Sequence, residues 1–94
     1  MPWVLIQRST EATWDDYERV AREVGDDAPK GLIYHAAGET EGGHWQMVDI
    51  WESEEDFNRF RDERLMPAVE RALGSEAVQA GPAPSDRVGP SFHF

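Results

Sequence analysis

The residues of this sequence best suited to acid–base chemistry are His35 and Asp49, which lie in two neighbouring segments of predicted β-structure. Residues 31–37 and 44–51 are apolar runs typical of strands, and the polar, glycine-rich stretch 38–43 favours a hairpin between them. Because strand side chains alternate between faces, this hairpin predicts His35 and Asp49 on one face, close to opposite each other. A carboxylate beside an imidazole fixes its tautomer and raises its basicity. Such a pair can take a proton from an acidic phenol or an activated carbon, and a purely structural histidine–aspartate hydrogen bond is the alternative.

Large apolar side chains are predicted on the same face as this pair, and they are candidates for the walls of a pocket. An apolar surface carrying one polar pair suits a site that holds a flat hydrophobic molecule, and it equally suits packing against a partner subunit. The candidate substrate-binding residues on this face are Ile33, Trp45, Met47 and Trp51. His93, near the C-terminal end of the sequence, is a further candidate that would close such a cavity.

Two helices are predicted from apolar periodicity and capping residues. The first follows Thr13 and Asp16, which have the spacing of a capping box, and Gly25 fits its C-terminal end. The second follows Ser53, a strong N-cap candidate with acidic residues after it. Pro67 predicts a kink or a short further helix over residues 67–73, because proline cannot donate to the helical ladder.

Residues 3–7 are predicted to form the first strand and residues around 92–94 an edge strand. The order strand–helix–strand–strand–helix–strand indicates an α+β fold of ferredoxin-like (βαββαβ) type, with two helices on one face of a four-stranded antiparallel sheet. We expect the helices to cover the face of Leu32, Tyr34, Val48 and Ile50, and the face of His35 and Asp49 to lie open. Tyr34 is then a core residue, and His44 a solvated residue beside the turn.

The length and net charge of the chain exclude several classes of protein. Ninety-four residues predict a single domain spanning residues 1–94, and the absence of cysteine excludes disulfides and thiolate metal sites. A net charge of −10 argues against nucleic-acid partners and anionic membrane surfaces. The histidines lack the close spacing of metal ligands, and no phosphate-binding glycine motif or serine nucleophile motif is present. The sequence therefore predicts a cytoplasmic protein with no metal, no membrane segment and no cofactor.

One part of the sequence is similar to a known superfamily. Gly31-Leu32-Ile33-Tyr34-His35, followed by the stretch from Asp49 to Phe60, resembles small actinobacterial members of the dimeric α+β barrel superfamily, the antibiotic-biosynthesis-monooxygenase-like proteins. The similarity covers roughly residues 31–71. It implies a homodimer whose two sheets enclose a cavity. The asparagine–tryptophan–histidine set of haem-degrading relatives has no counterpart here, since the only asparagine is Asn58, on the second helix.

The resemblance and the polar pair together favour a cofactor-independent enzyme, a monooxygenase or a polyketide-type cyclase, acting on a flat hydrophobic aromatic substrate. His35 would be the base, Asp49 would orient it, and Trp45 and Trp51 would form the walls. The alternative is a non-catalytic dimeric module that binds a hydrophobic small molecule or a protein partner.

Overall fold

In the part of the chain that the structure describes, the sheet has four antiparallel strands. They lie side by side in the order Leu32–Glu39, Trp45–Trp51, Trp3–Arg8 and Ser85–Val88, which is the ferredoxin-like arrangement. A computed structural model of the protein describes residues 2–79 and the backbone of residues 85–88. The elements in chain order are β1 (Trp3–Arg8), α1 (Trp14–Val24), β2 (Leu32–Glu39), β3 (Trp45–Trp51), α2 (Glu54–Phe60), α3 (Met66–Leu73), α4 (Ser75–Gln79) and β4 (Ser85–Val88). The α+β fold predicted from the sequence is confirmed.

Among the described residues, the last strand lies earlier in the chain than the segment that the sequence pattern indicated. It covers Ser85–Val88 and pairs antiparallel with β1, at the edge of the sheet. The edge position agrees with the expectation. The aromatic alternation around residues 92–94, including His93, lies outside the described residues.

Both predicted helix starts are confirmed, because the capping side chains make the bonds that their spacing suggested. The Thr13 hydroxyl accepts a hydrogen bond from the Asp16 backbone N–H at 3.2 Å, and the Asp16 carboxylate accepts one from the Thr13 N–H at 3.1 Å. Ser53 accepts from the Asp56 N–H at 3.2 Å in the same way. These bonds satisfy N–H groups that a helix leaves unpaired at its start.

The helical segment after Ser53 is interrupted near Pro67, as the sequence predicted. Arg61–Leu65 form a π-helical turn between α2 and α3, in which the Met66 N–H reaches back to the Arg61 carbonyl. Pro67 then lies in the first turn of α3, directly after this π-helical turn. Gly74 ends this helix, as expected.

The prediction of which sheet face the helices cover was wrong. Among the described residues, a buried core cluster is formed by Trp3, Leu5, Met47, Trp51 and Phe57, so the helices cover the face that carries Met47, Asp49 and Trp51. Tyr34 is 55% exposed on the opposite face, where its partner in the ladder is Ile50.

A β-bulge in β2 explains part of this error. Leu32 pairs with Trp51 and Tyr34 pairs with Ile50, so two residues of β2 span one step of β3 and Ile33 is the extra residue. Strict alternation places Leu32 and Tyr34 on one face, but the bulge moves Leu32 to the face of His35. Leu32 there packs against the core under the helices.

Candidate functional site

His35 and Asp49 are direct partners in the β2–β3 ladder, and their side chains are joined by a hydrogen bond between His35 Nδ1 and Asp49 Oδ1. Asp49 is 4% exposed. Its second oxygen, Oδ2, accepts a hydrogen bond from the indole Nε1–H of Trp51 at 3.2 Å. The carboxylate is therefore fixed by donors at both oxygens, whereas the His35 side chain keeps 39% of its surface exposed.

Tyr17, on α1, completes a chain of polar contacts with this pair. Its hydroxyl oxygen lies 2.6 Å from His35 Nε2. The planes of the phenol and imidazole rings differ by only 4°, and the ring centroids lie 6.4 Å apart. This separation fits two rings that meet end to end through the hydroxyl group. Because Asp49 accepts a hydrogen bond from Nδ1–H, the neutral imidazole has its lone pair on Nε2, facing the Tyr17 hydroxyl. Tyr17 therefore donates to His35, and His35 donates to Asp49.

Two tryptophans hold the Tyr17 ring. The indole of Trp14 is stacked on it at 5.0 Å with 7° between the planes, and Trp45 meets it at 5.4 Å in a tilted arrangement. Such pairs are stabilising beyond the area they bury. The tyrosine is therefore positioned from α1 and from β3 at once.

The loop between β1 and α1 is tied to the start of β3, which fixes how α1 approaches the sheet. The Ser9 N–H donates to the Trp45 carbonyl and the Trp14 N–H donates to the Gly43 carbonyl, both at 2.9 Å. His44 Nδ1 lies 2.9 Å from the carbonyl oxygen of Ala12 and is half-buried. The expectation of a solvated His44 was wrong, because this ring bonds the loop in front of the helix.

The electrostatics of the site keep the tyrosine neutral and favour protonation of the histidine. The hydrogen bond that the His35 Nδ1–H donates to Asp49 raises the pKa of His35, burial of the ring lowers it, and the charge of Asp49 raises it further. Burial, with a further contribution from the Asp49 charge, raises the pKa of Tyr17 to about 12. The site thus consists of a base, His35, with the buried Asp49 carboxylate hydrogen-bonded to one ring nitrogen and the neutral Tyr17 hydroxyl at the other.

Sequence reasoning missed Tyr17 as a member of the site. Its spacing from Trp14 and Val20 indicated the apolar stripe of α1, and it does face the sheet. The wrong face assignment placed His35 on the far side of the sheet, so a contact between the two residues was not expected. No local motif marks Tyr17; only the correct face of β2 could have shown the contact.

The other predicted site residues occupy different environments. Trp45 contacts Tyr17, while Met47 and Trp51 are 8% and 1% exposed in the core beneath the helices. Ile33, the bulge residue, is 37% exposed. The expectation that these side chains line an open, partner-facing surface was wrong, because all except Ile33 lie on the helix-covered face.

Within the described part of the chain, no three histidine or acidic side chains come together as a metal-binding cluster. The same residues include no helix with the length and apolar character needed to cross a membrane.

Comparison with solved structures identifies the fold. The chain superposes over its whole length on 97% of a protein from Chloroflexus aurantiacus J-10-fl assigned as an antibiotic biosynthesis monooxygenase, with a TM-score of 0.63 and 15% identity. It also superposes, over 99% of its length and 93% of the other chain, on a variant of SnoaB, a cofactor-independent oxygenase from Streptomyces nogalater, with a TM-score of 0.52 and 13% identity. No protein-family model matches the sequence, and no curated protein matches it significantly. The structure thus shares its fold with these two proteins, which agrees with the fold that the sequence resemblance implied.

Proposed function

We propose that this protein is a cofactor-independent enzyme that takes a proton from a flat, hydrophobic aromatic or polyketide-like substrate. The observation that carries the proposal is the buried Asp49 carboxylate on Nδ1 of a partly exposed histidine, inside a cluster of aromatic rings. A carboxylate in this position holds the imidazole in one tautomer and stabilises the imidazolium that forms when it accepts a proton. The fold shared with a cofactor-independent oxygenase supports this reading.

Two reactions are open to a substrate that has lost such a proton. An electron-rich phenolate or carbanion can react directly with dioxygen, which gives a monooxygenase without a bound cofactor. An enolate can instead attack a carbonyl group of the same molecule, which gives a cyclase. In both cases the proton passes to His35, and the aromatic surfaces of Trp14 and Trp45 are suited to a planar substrate.

Oxygen uptake with anthrone as the probe tests the proposal. Wild-type protein is expected to accelerate uptake, and His35→Ala to lose most of that acceleration, about 10²-fold or more for a lost general base. Tyr34→Phe is the matched control, because Tyr34 is exposed on the other face of the sheet. Wild-type acceleration that survives in a folded His35→Ala protein would exclude His35 as the base.

A non-catalytic binding module is the second candidate, and one observation favours it. Both ring nitrogens of His35 already have partners, Asp49 and Tyr17, as in a purely structural hydrogen-bond network. This candidate predicts that His35→Ala lowers the free energy of unfolding or the affinity for a hydrophobic ligand. It also predicts no anthrone-dependent oxygen uptake by the wild-type protein.

We further propose that the protein is a homodimer in which a second copy covers the sheet face opposite the helices. That face carries partly exposed apolar side chains, namely Val4, Ile6, Tyr34, Val48 and Ile50. Sedimentation equilibrium of the wild type is expected to give a dimer. Tyr34→Glu should give a folded monomer, because this side chain is 55% exposed in the single chain. A wild-type monomer would contradict the proposal.

A further inference from the structure

We infer that Tyr17 is a catalytic residue of this site and relays the substrate proton to His35. The inference rests on the proposed function, which assigns the proton acceptor, and adds the group that meets the substrate. It follows from the end-to-end contact between the Tyr17 hydroxyl and His35 Nε2.

His35 presents no free ring nitrogen to a substrate. Asp49 occupies Nδ1 and the Tyr17 hydroxyl occupies Nε2 at 2.6 Å. A substrate that approaches the imidazole must either displace Tyr17 or hand its proton to the Tyr17 oxygen. The hydroxyl oxygen can accept a hydrogen bond while it donates its own proton to Nε2.

Displacement is disfavoured by the way the Tyr17 ring is held. Trp14 is stacked on the ring and Trp45 packs against it, so turning the phenol away would break two aromatic contacts together with the hydrogen bond to His35. Both tryptophans belong to segments that are bonded to each other through the Trp14 N–H and the Gly43 carbonyl. Tyr17 therefore remains in place when a substrate arrives.

The proton balance of the relay is simple. The substrate X–H bond breaks and its proton goes to the Tyr17 oxygen, while the original hydroxyl proton moves to His35 Nε2. The substrate is left as the anion, His35 becomes an imidazolium paired with the Asp49 carboxylate, and Tyr17 is neutral before and after the step. A free tyrosinate, which a pKa of about 12 makes unfavourable, is never formed.

Tyr17→Phe is the variant that tests the relay, because it keeps the ring and its stacking and removes only the hydroxyl group. With anthrone as the probe, kcat is expected to fall about 10²-fold, with KM changed only slightly. The double variant Tyr17→Phe/His35→Gln should lose no more than either single variant, since residues that act as a unit are not additive. Tyr34→Phe again serves as the control.

The outcomes separate the relay from the function on which it rests. If His35→Gln is inactive and Tyr17→Phe retains full or increased turnover, the relay is overturned and His35 meets the substrate directly. If His35→Gln keeps wild-type turnover, or if the wild type does not accelerate the reaction, the proposed function fails and the relay fails with it.

A second measurement needs no substrate. Diethyl pyrocarbonate acylates an unprotonated, accessible imidazole nitrogen, and peptide mass spectrometry distinguishes His35 from His44 and His93. Modification of His35 is expected to be slow in the wild type and about tenfold faster in Tyr17→Phe, the factor associated with one lost hydrogen bond. Equal rates in the wild type, Tyr17→Phe and Tyr34→Phe would show that Tyr17 does not occupy Nε2 in solution, and this result would also overturn the relay.

Discussion

Replacing Asp49 by asparagine should change both the titration of His35 and the pH dependence of stability. Asp49 raises the pKa of His35 through its hydrogen bond and its charge, and burial of the ring acts in the opposite direction. Asparagine has nearly the same shape but no charge, so only the effect of burial remains. The pKa of His35 in Asp49→Asn is therefore expected to fall below its ordinary value of 6.5.

The sign of the stability effect follows from linkage. In the wild type the folded-state pKa of His35 is raised, so its stabilising contribution is complete below the unfolded value of 6.5 and is lost as the pH rises through the folded pKa. In Asp49→Asn the folded pKa is lowered, so the variant loses stability as the pH falls below 6.5. The difference in unfolding free energy between the two proteins is consequently largest on the acid side.

The size of this difference can be set from the contacts of Asp49. Its buried hydrogen bond from Trp51 is charge-assisted, and bonds to charged groups contribute about 1.5–3 kcal/mol. The asparagine oxygen retains part of that bond, and the contribution of the His35 pair is reduced because its side chain is 39% exposed. We expect a difference of about 2 kcal/mol at the acid end, falling to about 1 kcal/mol above the folded pKa of His35.

Urea unfolding over a pH series that crosses 6.5 measures the difference, and NMR of the His35 ring carbons measures the titration. Asp15→Asn is the matched control: Asp15 is exposed in the first turn of α1, and its replacement should give the same small difference at every pH of the series. A difference for Asp49→Asn that does not vary with pH, or an unchanged His35 titration, would refute the coupling of the two residues.

Two further predictions concern Tyr17 and the loop before β2. Spectrophotometric titration should show a tyrosine that ionises at about 12, absent in Tyr17→Phe and retained in Tyr34→Phe, and a titration unchanged by Tyr17→Phe would contradict the burial of this phenol beside Asp49. Gly31 and Gly25 both have positive φ, at 88° and 89°, so alanine at either position should cost about 1–3 kcal/mol of unfolding free energy. Gly31→Ala should cost more, because its added Cβ would overlap the Asp56 side chain whereas the space at Gly25 is open; equal losses in urea unfolding would disprove that contact.

The capping residues show how far local sequence determines this structure. Thr13 with Asp16, and Ser53 with Asp56, lie three residues apart, and the bonds they make depend only on the backbone of one helical turn. The break near Pro67 is equally local, since it follows from the missing N–H of proline. For this reason the first three strands, the two capped helices and the ferredoxin-like fold could be predicted from the sequence, whereas the strand Ser85–Val88 was not placed correctly.

The pairing of His35 with Asp49 across the two strands could also be predicted from the sequence. Once the loop of a hairpin is located, it determines which residues of the two strands lie opposite each other. The choice of sheet face does not follow from the hairpin. Both faces of the sheet carry apolar side chains, so the pattern itself does not say which one the helices cover. The aromatic side chains of Phe57 and Phe60 pack against Trp51, and this contact decides the choice.

The sequence by itself therefore determined the first three strands, the two capped helices and the pairing of a histidine with an aspartate, since each depends on short spacing or on one hairpin. Only the tertiary structure decided that this pair lies beneath α1 rather than on the open face, and that Tyr17 completes it. There are two physical reasons. The bulge at Ile33 is a local irregularity that strand alternation does not reveal. The packing of Phe57 and Phe60 on Trp51 is a contact between segments whose meeting only the folded chain shows.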